Sequence, residues 1–425
     1  MPVDQVLSLF TDRFQNVLVP NVTSMLVTAS PVILAGLLLS IFWPLWVRYV
    51  RAKYFFSLKY NLLEIRLPKD TFKSPLAMEL FLTALHQTGG EGNWYQKFWL
   101  GQTRSWFSLE MVSVEGQVKF YIWTRSGSRG FIESSLYAQF PGIEIHERDD
   151  YARTVSFVKG QTAIWGCELQ FTKKEMGYPI KTYVDYGLDR DPKEEFKVDP
   201  LAPLVEYLGS IGPNQQVWMQ ILVRAHKDED RKPGHLWKTT DAWKDSAEKI
   251  INEILKRDPK TKVAGTKDVV SGRVIPPTIS KGEQEIVAAI ERGLAKHRFD
   301  IGIRCVYITK EGFFSLSNIG AILGSWKQFG SANMNGFRPN SKFWHAKFDY
   351  PWQDFGYFLR NRQSRKLLMA YKRRAYFYAP VEHKPIVMNT EELATIFHFP
   401  GQVVATPTFE RVPSRKAEAP ANIPI

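Results

Sequence analysis

Between Arg13 and Arg48 the chain carries no charge, and within that interval Met25–Val47 (MLVTASPVILAGLLLSIFWPLWV) is almost wholly apolar. At a helical rise of 1.5 Å per residue this stretch extends about 35 Å, enough for a hydrocarbon core of about 30 Å. A buried core helix of such length normally carries a polar stripe, and none is present. A cleaved signal segment has basic residues ahead of a shorter apolar run; here they follow it. The stretch therefore predicts a membrane span over 23–50, with Pro31 and Pro44 as candidate kinks.

The flanks predict its orientation. Arg48, Arg51, Lys53 and Lys59 follow the run, and only Arg13 precedes it. By the positive-inside rule the N-terminus lies outside the cytoplasmic (inner) membrane, and the C-terminal bulk lies in the cytoplasm. Trp43, Trp46, Tyr49, Tyr54, Phe55 and Phe56 would form an aromatic belt, so the expected interface residues are Trp43, Trp46, Arg48, Arg51 and Lys53. Ahead of the span, in segment 1–22, Val3–Val19 has the spacing of a short amphipathic helix.

Composition bounds the rest. With 44% hydrophobic and 23% charged residues the chain is ordinary for a globular protein, which excludes a multispanning transporter. Residues 1–47 contribute −1 to a formal charge of +13, which leaves +14 downstream. That surplus points to anionic lipid, nucleic acid or acidic protein without choosing among them. The two cysteines, Cys167 and Cys305, sit in strand-like patterns and supply no disulfide framework or cysteine-rich metal site.

Periodicity then predicts an α+β order. Tyr60–Leu67 reads as a strand and Leu76–Thr88 as a helix started by Ser74-Pro75. Ser105–Val114 and Gln117–Thr124 alternate about a Glu115-Gly116 turn, with Phe107, Leu109 and Met111 on one side of the first and Val118, Phe120 and Ile122 on one side of the second. Phe131–Phe140 is a helix and Ile143–Glu147 a strand, completing the β-α-β-β-α-β order of a ferredoxin-like unit over 58–160. A second such unit is expected over 161–330. It has strands at Ala163–Thr172, Lys181–Val184, Gln215–Ala225 and Ile301–Thr309, and helices from Asp199-Pro200 to Leu208, over Glu283–His297 and over Ser315–Gly324. A charged insertion occupies 226–280, with its own helix at Trp243–Lys256. The two halves suggest an internal duplication but do not align residue by residue. An aromatic loop and a basic helix, Phe355–Tyr376, fill 331–388. Asn389–Phe399 is a short helix whose Asn389 and Glu392 form a capping box, and an extended arm follows.

Catalytic constellations are missing. Neither phosphate-binding glycine pattern is present, and Gly265–Gly272 lacks the lysine a P-loop needs. The eight histidines show no H-x-x-x-H spacing and no pairing with cysteine. His226 and His235 read as solvated, and His345 and His398 as packing or interface residues. No serine or cysteine sits in a nucleophile-elbow pattern. Ser126 and Ser128 belong to a loop whose amides suit a phosphate, though loop chemistry alone explains them. Glu194-Glu195 reads as a solvated linker. No catalytic, cofactor or metal residue is expected. Arg360, Arg362, Arg365, Lys366, Lys372, Arg373 and Arg374 form a run with no acid between Asp354 and Glu382. A solvated face opposite Leu367, Leu368, Tyr371 and Ala375 explains that run as well as contact with anionic lipid or nucleic acid does.

Three stretches carry a family resemblance: Leu62–Gly90, Lys181–Gly212, and MNTEELATIFHFPG at Met388–Gly401 followed by Pro407–Ile425. They resemble the membrane-anchored N-terminal region of conjugation-type, type IV secretion ATPases of the HerA/TraG-like class, over nearly all of 25–425. In that class the T-E-E-L-A-x-x-F-H-F-P stretch precedes a P-loop motor, which this sequence lacks. The resemblance implies a non-catalytic anchor in a bacterial secretion or DNA-transfer machine. Its helix and arm at 389–425, through Glu391, Glu392, Leu393, Phe397, His398, Phe399 and Pro400, would dock a P-loop ATPase supplied as a separate chain or as a further domain. Membrane lipids are the other expected partner, with DNA and a second copy of this chain left open. The alternative is a membrane-tethered nucleic-acid-binding protein using the basic helix over 358–376.

Overall fold

The computed structural model describes residues 19–400 apart from 69–72, 174, 190–197, 228–229, 232–238, 258–265, 268–273, 276–278 and 348–349. The proposed amphipathic helix at Val3–Val19, His235, Glu194-Glu195 and the C-terminal arm lie outside the described residues. The chain divides into two units.

The first unit comprises the chain up to Leu58 together with Gly90–Thr103. Its helix α1, Val19–Ser57, runs unbroken through Pro31 and Pro44. Its stretch Thr28–Ser57 is long and apolar enough to cross a membrane, with a mean hydropathy of 1.9 over a window in which no residue is buried. Leu34, Leu38 and Leu39 are each more than half exposed.

The second unit, Lys59–Gly89 and Arg104–Ile425, is α+β and built on one antiparallel sheet. Its strands are β1 Tyr60–Arg66, β2 Trp106–Val114, β3 Gln117–Arg125, β4 Glu144–Arg148, β5 Thr162–Phe171, β6 Gln215–Ala225, β7 Arg298–Lys310, β8 Phe337–Pro339 and β9 Ile386–Asn389. The order across the sheet is β8-β5-β7-β6-β2-β3-β1-β4, with β9 on β7. The two regions expected as separate domains therefore share one sheet, joined where β2 pairs with β6 from Trp106↔Arg224 to Val114↔Gln216. The order is palindromic about that seam. Each half reads fourth, first, third, second strand, which places the duplicated pattern back to back.

Three sequence expectations are corrected by this arrangement. Lys181–Val184 is a turn rather than a strand. The second half's fourth strand is β8 beyond residue 330, and the helix at Lys281–Leu294 belongs to the insertion.

The helices of both units, in chain order, are α1, then α2 Pro75–Ala84, α3 Trp94–Phe98, α4 Arg129–Gln139, α5 Tyr151–Thr154, α6 Ala202–Gly209, α7 Ala242–Ile254, α8 Lys281–Leu294, α9 Leu316–Gly324, α10 Phe358–Lys372 and α11 Thr390–Ile396. One face of the sheet carries Leu63, Leu109, Met111, Phe120, Ile122, Met219, Ile221, Ile303 and Cys305. These pack with Phe81 of α2, Leu136 of α4, Leu204 of α6, Ile322 of α9 and Leu393 of α11 in a single core. Strand alternation set this face, since side chains two apart point the same way. Helices α7 and α8 form a smaller core of their own through Trp243, Ile250, Ile251, Ile286 and Ile290.

Candidate functional site

The opposite face of the sheet is buried too, and it carries a polar row between apolar neighbours such as Val112, Trp218, Leu222 and Val306. The register sets Glu64 beside Tyr121, Tyr121 beside Glu110, Glu110 beside Gln220, Gln220 beside Arg304 and Arg304 beside Glu168. These six residues form one row across six strands, and each is below 7% exposed. Glu110 and Gln220 flank the seam, so Tyr121 matches Arg304 and Glu64 matches Glu168 in the two halves.

A buried charge is tolerated only when paired and hydrogen-bonded. The segment around α10 supplies the pairs. Arg374, fully buried, donates through Nε to Glu110 Oε1 at 3.0 Å and through Nη2 to Glu110 Oε2 at 3.1 Å. Its Nη2 also donates to Asp150 Oδ1 at 3.0 Å. Its Nη1 donates to the Lys372 carbonyl at 3.0 Å and to Asp150 Oδ2. All five guanidinium N–H groups are thereby used. Tyr151 OH donates to Glu110 Oε2 at 2.7 Å, so the Tyr371 hydroxyl, 2.7 Å from that of Tyr151, donates to it in turn. Burial would raise the Glu110 carboxyl, but the Arg374 charge and its hydrogen bonds outweigh that and hold it below its ordinary value. At the other end Arg304 donates to Glu168 at 3.0 Å. Glu168 also accepts from Trp344 Nε1 at 2.7 Å and meets His383 Nδ1 at 2.6 Å.

A second polar group lies four residues along the same face. Asp300 accepts from Arg224 Nη2 at 2.6 Å and meets His226 Nδ1 at 2.6 Å. The other ring nitrogen of His226 is 3.5 Å from Asp241. Burial pushes this imidazole down, but the carboxylates of Asp241 and Asp300 on its two sides prevail and raise it to about 9. His226 is thus a half-buried histidine held between two carboxylates, which corrects the expectation of a solvated one. His345 is the converse. Burial lowers it to about 4; its Nδ1 accepts from Gly166 N at 3.2 Å, so its Nε2–H faces Ser364 Oγ at 2.9 Å.

The expected docking helix is also internal. Glu391, Glu392, Leu393, Phe397, His398, Phe399 and Pro400 are all buried. Glu391 Oε2 lies 2.8 Å from Lys296 Nζ, and Lys296 also reaches Glu79 of α2 at 2.7 Å. Glu392 and Asn389 complete the capping box, and Glu392 Oε1 accepts from Ile180 N at 3.1 Å. Burial raises this carboxyl to about 7, with the negative charges of Glu391 and Asp185 adding to the effect. His398 donates from Nδ1 to the Ala394 carbonyl at 3.0 Å and lies 3.1 Å from Asp199 through Nε2. Phe397 and Phe399 pack edge-on to Phe120 at 5.8 and 5.7 Å. This is a correction: α11 is a core element, and its apolar and acidic residues serve the sheet rather than a surface.

The basic run splits by helical geometry. Arg374 is corrected from a surface cation to the central buried one. Arg362, Arg365, Lys366 and Arg373 are exposed, while Arg360 and Lys372 are half-buried. The exposed four fall at i, i+3, i+4 and i+11, one stripe of α10 and its end. In the first unit Trp43, Arg48 and Lys53 are exposed, and Trp46 and Arg51 half-buried. Sequence reasoning missed the polar row itself. Its signal was a charged or amide residue in β1, β2, β5, β6 and β7, flanked on both sides by apolar positions.

No curated protein matches the chain, and no solved structure does. One family model, described as a domain of unknown function (DUF8128), matches residues 57–411, from the end of α1 through every strand of the sheet. The chain belongs to the DUF8128 family.

Proposed function

We propose that the protein is a membrane-anchored, non-catalytic platform. Helix α1 crosses the cytoplasmic membrane from outside to inside, and the sheet unit, read as two ferredoxin-like halves, stands on the cytoplasmic side. There it recruits or orients a P-loop ATPase of the secretion and conjugation class. The observation that carries this reading is the pairing of opposites in one chain. An exposed apolar helix is joined to a unit whose buried acids and bases are committed to each other. Groups held that way are poor general acids, bases or nucleophiles, and they give a rigid body suited to positioning a partner. The resemblance at Met388–Gly401 names the class of partner.

The burial of α11 changes the test. Removing 389–400 would take Leu393, Phe397 and Phe399 out of the core, so the informative deletion is 401–425 alone. The full chain, extracted in mild detergent, is expected to co-purify with a P-loop ATPase, and the 401–425 deletion to lose it while keeping its thermal unfolding midpoint. Unchanged co-purification would remove the docking assignment. The exposed stripe of α10 supports a second reading, nucleic-acid contact. It predicts binding that weakens steeply with salt and with Arg362→Ala, Arg365→Ala and Lys366→Ala together.

A further inference from the structure

Between α2 and β2 the chain leaves the sheet unit for fourteen residues, Gly90–Thr103, and joins the unit of α1. Within this excursion α3 is capped by Asn93, which accepts from Gln96 N at 2.9 Å. The segment is seated on α1 at one level. The Trp46 indole N–H donates to the Phe98 carbonyl at 3.1 Å. Trp43 lies 5.5 Å from Phe98, and Trp46 lies 5.4 Å from Trp99 edge-on. Gly101, at φ +64, brings its Cα against the helix backbone; a Cβ there would stand 2.4 Å from the Val50 carbonyl oxygen.

What the segment turns outward is apolar. Trp94 and Tyr95 are each 58% exposed, and Trp99 and Leu100 each 44%. Four large side chains exposed within seven residues form a patch that water disfavours. The segment's ring contacts and hydrogen bond to α1 lie between Trp43 and Val50, where the uncharged run gives way to Arg48, Arg51 and Lys53. Those eight residues cover about 10 Å of helix rise, the thickness of the zone between acyl chains and headgroups. Tryptophan and tyrosine favour that zone because one edge is apolar and the other donates a hydrogen bond. The ammonium of Lys97, 5.9 Å from the Phe98 ring, and the exposed Arg48 and Lys53 on α1 suit anionic headgroups.

We infer that Trp94–Leu100 is a second, monotopic membrane contact, a foot inserted into the interfacial zone of the same leaflet that α1 leaves. It fixes α1 against rotation about its axis, which one helix in lipid cannot do alone. The inference rests on α1 crossing the membrane, and the test separates the two. Cys167 and Cys305 are buried, so an added surface cysteine is the one that labels readily. Nitroxides are placed singly at Leu100→Cys, Tyr95→Cys, Leu38→Cys and Ser134→Cys in the full chain, reconstituted in vesicles of phosphatidylglycerol and phosphatidylethanolamine. Collision with oxygen and with a water-soluble nickel chelate is measured by electron paramagnetic resonance.

The expected result is oxygen preference at Leu38, Leu100 and Tyr95, deepest at Leu38, and nickel preference at Ser134. Oxygen preference at Leu38 with nickel preference at both Leu100 and Tyr95 overturns the foot and leaves the span. Exclusion of both reagents at Leu100 and Tyr95 also overturns it, because protein would then cover the patch. Nickel preference at Leu38 overturns span and foot together.

Discussion

Helix α1 and the covered face of the sheet are opposites within one chain. The first turns Leu34, Leu37 and Leu38 outward, and the second turns Glu110, Arg304 and Arg374 inward. The same physics accounts for both. An apolar side chain is at rest where its surroundings are apolar, so an outward leucine face fits a lipid solvent. A charged side chain is at rest where its surroundings complete its hydrogen bonds. Inside the sheet unit that completion comes from α5, α10 and the strands themselves. Neither region obeys the rule of apolar inside and polar outside.

The largest expected effect comes from breaking the inward region. Arg374→Ala leaves the buried Glu110 and the half-buried Asp150 without their cation and should cost about 3–5 kcal/mol. The measurement is equilibrium or thermal unfolding of the full chain in nanodiscs. A loss below about 1 kcal/mol would mean that the pair is hydrated rather than buried. Charging the outward region comes next. Leu38→Asp places a carboxylate at mid-helix and should oppose membrane insertion by about 2.5–3.5 kcal/mol, read as the fraction of protein recovered with membranes. Unfolding of the sheet unit should be unaffected, since Leu38 belongs to the other unit.

A steric test follows. A Cβ on Gly302 would lie 2.6 Å from the Tyr376 ring, so Gly302→Ala should cost about 1–3 kcal/mol by overpacking and loosen the segment that covers the polar row. The neighbour of Arg374 gives the smallest mutational effect. Arg373→Ala removes an exposed charge and should stay within about 0.5 kcal/mol. The contrast between residues 373 and 374 is then the sharpest statement of which charges face inward.

Titration sharpens the comparison further. His226 is raised to about 9 from an ordinary 6.5, so the folded state holds a proton that the unfolded chain releases between those values. Its stabilisation is complete below about pH 6.5 and is lost as pH rises through 9. Glu392, raised to about 7 from 4.5, acts in the same direction in a lower window: its stabilisation is lost as pH rises from 4.5 through 7. Asp300, held below its ordinary value by His226 and Arg224 against the effect of burial, acts oppositely and is lost in acid. Stability of the sheet unit should therefore fall from pH 7 to pH 10, and His226→Gln should flatten that fall. An equal slope in the variant would remove His226 as its source.

Much of the apolar architecture was legible in the sequence. The alternation of Phe107, Leu109 and Met111 and of Val217, Met219, Ile221 and Val223 gave the inner face, because that face obeys a period of two with one kind of residue. The strand Gln215–Ala225 and the capping box at Asn389 and Glu392 also stand where periodicity and spacing put them. The covered polar face was not legible. Local sequence cannot distinguish a charged residue facing water from one facing a guanidinium more than 250 positions away, as Glu110 faces Arg374. The same limit misread Arg374 itself, which follows the exposed Arg373 in one basic run, and His226, whose partners Asp241 and Asp300 come from α7's cap and β7. The docking residues at 391–400 were legible as a helix with a motif but not as core, since their burial depends on α2 and on the distant turn at 180–183.

The central claim is that α1 is a span carrying the sheet unit on the cytoplasmic side. Protease digestion of sealed membrane vesicles of both orientations tests it most directly. The sheet unit should be cleaved in vesicles with the cytoplasmic side outward and protected in those of opposite orientation. Protection in the reverse sense, or recovery of the full chain apart from membranes, would contradict the account.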